Sequence, residues 1–129
     1  MDREALRAEA ARWMRRARSH LLRAEAERAE GVFWEDLCFD AQQAAELALK
    51  ALLVDRGIRV PRTHDIAVLL RIAAYSAQTA PSELDEAAGL TVYATLTRYP
   101  GPVEAVGEGQ YQDAVRLARA IVDWVSGQL

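Results

Sequence analysis

At 129 residues, 51% of them apolar, and with a net charge of only −3, the chain is one domain able to bury a core without metals or disulfides. That balance excludes a generic, strongly basic nucleic-acid binder. One cysteine, Cys38, and two histidines far apart in sequence, His20 and His64, exclude a disulfide framework and a spaced zinc site, so no metal and no cofactor are expected. No apolar run reaches membrane-spanning length and no signal-peptide pattern opens the chain, so a cytoplasmic protein without membrane contact is expected.

Helical periodicity is nearly continuous and period-two alternation is absent, which predicts an all-α chain. In the first segment Leu6, Ala10, Trp13, Ala17, Leu21 and Ala24 form one stripe of a helix over about residues 3–29, with Gly31 as its stop. This segment is also the basic one: residues 1–28 carry eight Arg against five acids, whereas 81–129 carry three basic against seven acidic residues. The second helix has Trp34, Leu37, Cys38, Ala41, Ala45, Ala48, Leu49 and Leu52 on one face and ends at Gly57. Thr63 reads as the N-cap of a third helix from His64 to about Gln78, with Ile66, Leu69, Leu70 and Ala73 inward.

Thr79 and Pro81 start a fourth helix over about 81–97, which stops before Pro100. Residues 98–109 hold two prolines and three glycines and read as irregular. The fifth helix, about 109–127, carries Tyr111, Ala114, Val115, Ala118, Ile121, Val122 and Val125 as its stripe. Short connections between long helices favour antiparallel neighbours. The predicted architecture is an up-and-down four-helix bundle with one additional shorter helix, a single domain over 1–129. Leu22 on the first helix, and Leu117, Ile121 and Trp124 on the fifth, look like surplus apolar surface, which points to self-association as a dimer or a dimer of dimers.

Polar residues interrupt the apolar second helix at an informative place. Gln42, Glu46 and Lys50 are spaced four apart beside Gln43, forming a narrow polar strip, and an unpaired buried amide costs about 1–3 kcal/mol. Such a strip suits a groove or a buried network between helices. The turn from Arg56 to His64 supplies Arg59, Arg62 and the histidine near the start of the third helix, where free N–H groups and arginine forks favour a phosphate. Cys38 sits on the apolar stripe and reads as core, and His20 has no partner recognisable from sequence.

Taken in order, the helix CFDAQQAAELALKALL (38–53), Thr63-His64-Asp65-Ile66, Tyr93 with Arg98-Tyr99-Pro100-Gly101, and the closing helix with DAVRLARAIVDWV resemble the HEPN domain family over essentially the whole chain. The resemblance implies a helical bundle that usually dimerises, is commonly encoded beside a minimal nucleotidyltransferase, and binds nucleotides. Some members are ribonuclease toxins using an arginine, a polar neighbour and a histidine a few residues on. Arg59 and His64 meet that spacing, but Val60 stands where the polar residue belongs and Pro61 interrupts the stretch.

The expected role is therefore binding rather than catalysis: a nucleotide-binding or partner subunit, toxin- or antitoxin-like, of a separately encoded nucleotidyltransferase. Its expected site is Gln42, Gln43, Glu46, Lys50, Arg59, Arg62, His64, Arg98 and Tyr99. The alternatives are a metal-independent ribonuclease working on RNA through Arg59 and His64, and a plain dimerisation bundle.

Overall fold

The structure, a computed structural model, describes residues 2–76, 82–96 and 106–129. Its elements are α1 (Arg3–Glu25), α2 (Trp34–Asp55), α3 (Ile66–Ser76), a 3₁₀ helix (Ser82–Val92), α4 (Tyr93–Leu96) and α5 (Glu108–Gln128). Among the described residues every element is helical, and no helix is long and apolar enough to cross a membrane.

Helix α2 is the centre of the bundle. It packs against α1, α3, the 3₁₀ helix, α4 and α5, and fifteen of its 22 residues are buried. Ala41, Ala44, Ala45, Ala48 and Ala51 are all fully buried, so small side chains on several faces let the neighbours approach closely. Antiparallel packing of α1 on α2 follows from end-to-end pairs: Arg3 reaches Asp55, and His20 reaches Asp40. Helix α5 runs parallel to α2, since Tyr111 stacks near Trp34 at 4.9 Å between ring centroids while Gln128 lies beside Arg56.

Helix α1 ends at Glu25, four residues short of the predicted boundary. Ala26 is extended, and the following turn is held independently, with Arg28 donating to the Val32 carbonyl and lying 4.2 Å over the Trp34 ring. Gly31 sits in the left-handed region at φ +85°, inside that turn rather than at the helix end. Helix α2 closes as predicted at Gly57, φ +70°, where Ile58 N–H donates to the Leu53 carbonyl at 2.9 Å.

The third helix begins two residues later than expected. Asp65, not Thr63, is its cap: the Asp65 Oδ1 accepts from Ala67 N–H at 2.9 Å and Val68 N–H at 3.3 Å, while Thr63 Oγ1 accepts from Asp65 N–H. The predicted fourth helix is mostly 3₁₀. Leu84, Ala87 and Leu90 recur every three residues and are all buried, a spacing that matches the three-residue 3₁₀ turn better than the α-helix, and Thr91 Oγ1 accepts from Ile66 N–H to hold it on α3. On α5, Leu117 and Ile121 are buried in the chain's own core, so they are not the surplus surface the sequence suggested. Leu22 is exposed.

The end of α2 is locked by arginines. Asp55, 3% exposed, pairs with both Arg3 and Arg56, and Arg56 also donates to the backbone carbonyls of Ser76 at 3.2 Å and Gln128 at 2.8 Å. One guanidinium thus ties the ends of α2, α3 and α5. Removing it leaves the Ser76 and Gln128 carbonyls without their donor and the buried Asp55 carboxylate with Arg3 alone, so Arg56→Ala is expected to lower stability by about 2–4 kcal/mol in urea unfolding. Arg3→Ala, which removes a largely exposed partner, is expected to cost about 1 kcal/mol or less.

Candidate functional site

All the buried polar side chains among the described residues sit on α2: Asp40, Gln42, Glu46, Lys50 and Asp55. None of their buried polar atoms lacks a partner. The four-residue spacing of Gln42, Glu46 and Lys50 puts them on consecutive turns, and Glu46 is the hub. Its Oε1 accepts from Gln42 Nε2 at 3.0 Å and from His64 Nδ1 at 2.8 Å, and its Oε2 accepts from Lys50 Nζ at 2.9 Å. Gln42 also donates to the His64 carbonyl at 3.3 Å, and Gln43 donates to Gln42 Oε1 at 2.7 Å. Five side chains form one continuous network from the flank of α2 to the α2–α3 turn.

The late start of α3 makes this possible. With Asp65 as cap, His64 stands outside the helix, its carbonyl and its ring both turned to α2, and its side chain is half exposed. Burial pushes the Glu46 carboxyl up, but the hydrogen bonds from Gln42, Lys50 and His64, with the charge of Lys50, outweigh it and hold the carboxyl below its ordinary range.

The structure thus brings together Gln42, Gln43, Glu46, Lys50 and His64. Arg59 and Arg62 lie exposed on the same turn and make no hydrogen bond or ion pair among the described residues. Arg59 borders an open groove of about 520 Å³ with Leu6, Glu9, Trp13, Val54, Gly57 and Ile58. Arg98 and Tyr99 lie outside the described residues. Cys38 is fully buried, and burial pushes its thiol up to about 11, against a hydrogen bond with Tyr93, so it is protonated and inert near neutral pH. Among the described residues no group of three His, Cys, Asp or Glu side chains is arranged to hold a metal ion.

Sequence reasoning missed a second pair. Asp40, 4% exposed, accepts from His20 Nδ1 at 2.8 Å, with Arg23 Nε at 3.4 Å from its other oxygen. The signal was present: Asp40 interrupts the apolar run Leu37, Cys38, Ala41 just as Gln42 does.

The model of the HEPN domain matches residues 10–128 of this chain. The chain belongs to the HEPN domain family. A solved structure described as that of an archaeal HEPN homologue superposes with a TM-score of 0.58 at 28% identity, covering 98% of this chain and 97% of that one. Comparison with curated proteins gives no match. The helical-bundle reading therefore stands on family membership as well as on geometry.

Glu46 is the residue to test. Glu46→Gln leaves the Lys50 ammonium, 8% exposed, without its counter-charge and is expected to cost about 3–5 kcal/mol near pH 7. Because the folded-state carboxyl titrates below its unfolded value, its stabilisation is complete above about pH 4.3 and is lost as pH falls through the lowered value. Urea unfolding across pH should show the gap between wild type and Glu46→Gln narrowing in acid and holding constant above the carboxylate range.

Proposed function

We propose that this HEPN protein is a binding subunit, taking the phosphate of a nucleotide at the α2–α3 turn and acting beside a separately encoded minimal nucleotidyltransferase. The observation that carries the reading is the Glu46 hub, which fixes a half-exposed histidine on the same turn as two exposed, uncommitted arginines. Arginine forks suit phosphate oxygens, and His64 is held in place by a carboxylate whose charge Lys50 already balances. Arg59, Arg62 and His64 would contact the anion, with Gln42, Gln43, Glu46 and Lys50 as the frame that holds His64. Arg98 and Tyr99 are assigned to the same site on the family resemblance alone. The partner role rests on HEPN membership.

Self-association belongs to the same proposal. With Leu117 and Ile121 buried within the chain, the exposed apolar residues that support it are Leu22, Phe33 and Tyr75, which are 68%, 67% and 89% exposed. Light scattering at micromolar concentration should give a mass of two or four chains rather than the 14.3 kDa monomer.

The nucleotide reading is tested by calorimetric titration with ATP and GTP at low salt. Wild type is expected to bind, and an Arg59→Ala, Arg62→Ala double variant to bind about tenfold or more weakly, the loss of two charge-assisted contacts. Equal binding by both proteins removes the turn as the site.

A further inference from the structure

Both histidines of this chain are held in the same way, with Nδ1 2.8 Å from a buried carboxylate oxygen, yet they face different surroundings. His64 stands on the α2–α3 turn. His20 borders a separate groove of about 400 Å³ between α1 and α2, lined by Glu9, Arg12, Trp13, Arg16, Gln43 and Leu47, within the size range of small-molecule sites. His20 lines that groove and Asp40 does not, so with Nδ1 tied to Asp40 the ring has only Nε2 left to offer the groove. A carboxylate that accepts the Nδ1 proton fixes the tautomer and leaves the Nε2 lone pair available.

The cations beside it are in register. Arg12, Arg16 and His20 are spaced four apart and share one face of α1. Glu9 holds Arg12, and Arg16 makes no hydrogen bond or ion pair among the described residues. No hydroxyl or thiol lines the groove, so Nε2 is its one nucleophile. Asp40 already has Arg23 as a counter-charge, so His20 is not required to balance it.

We propose that His20 is a phosphoryl-accepting residue, modified at Nε2 by a small donor of the phosphoramidate or acyl phosphate class. In the step, the Nε2 lone pair forms an N–P bond while the bond from phosphorus to the leaving group breaks and its electron pair departs with that group, as ammonia from phosphoramidate. The Nδ1 proton stays on the ring against Asp40, which balances the positive charge the imidazole acquires. Arg16 meets the phosphoryl oxygens, where charge concentrates during transfer, with Arg12 held beside it by Glu9. No atom changes oxidation state. Asp40 acts through His20 and is a positioning residue.

The test treats the intact protein with potassium phosphoramidate and follows intact mass and ³¹P NMR, with His20→Gln and His64→Gln assigning the product. His20 is expected to be modified first, although its side chain is 20% exposed and that of His64 is 50% exposed, and the product is expected to be the Nε2 isomer. Arg16→Gln should slow the reaction about tenfold, the value of one charge-assisted contact. Asp40→Asn should give both ring isomers, a change of regiochemistry that a merely structural role would not produce. Faster modification of His64, reaction of His20 at Nδ1, or an Asp40→Asn variant with unchanged rate and isomer would each overturn the assignment. The wild-type isomer and the order of the two histidines decide the matter even where a variant folds poorly.

Discussion

A helix covered on several sides by other helices must satisfy every polar side chain it buries, and in this protein that helix is α2. Asp40, Gln42, Glu46, Lys50 and Asp55 are all withdrawn from water, and an unpaired group among them would cost several times what a made hydrogen bond contributes. The rest of the molecule is arranged around meeting that demand. Helix α1 supplies Arg3, His20 and Arg23, the α2–α3 turn supplies His64, and the residue after α2 supplies Arg56. Alanines between the polar positions allow close approach of the neighbours, so the partners need little reach.

The position of His64 shows how one local choice propagates to the site. Had Thr63 capped α3, His64 would occupy the first helical turn, with its carbonyl committed to the helix. Asp65 instead reaches the N–H groups of Ala67 and Val68, the helix begins at Ile66, and the His64 carbonyl and ring are both available to α2. Two competent capping residues two positions apart are common in sequence, and which one wins depends on tertiary contacts that local pattern does not contain.

That is the general form of what could and could not be read beforehand. The number of long helices, the α2 boundary at Gly57 and the strip of Gln42, Glu46 and Lys50 follow from periodicity and from the cost of burying amides. The 3₁₀ stretch was legible in principle, because Leu84, Ala87 and Leu90 repeat at three rather than at three and four, but an apolar pattern that short is also compatible with an α-helix. Met14 is fully buried and Trp13 only half-buried, yet the two are neighbours on α1 and an apolar stripe can be drawn through either. Asp40 and His20 were missed because their pairing crosses between helices, and sequence spacing says nothing about which residue of α1 faces which residue of α2.

The three carboxylates buried on α2 are partnered differently, and the difference separates structure from function. Asp55 is met by arginines, and Arg56 also spends its donors on backbone carbonyls, so that cluster is a clasp with little capacity left for a ligand. Glu46 is neutralised by Lys50 one turn away on the same helix, which means that His64 adds a hydrogen bond without being needed for charge balance. Asp40 likewise has Arg23 besides His20. In both of the latter cases the histidine could give up its carboxylate without stranding a lone buried charge, and in both its ring lies at the edge of the network rather than inside it. The hydrogen-bonding capacity that both histidine networks leave unused lies at the surface of α1 and of the α2–α3 turn, where a ligand can use it.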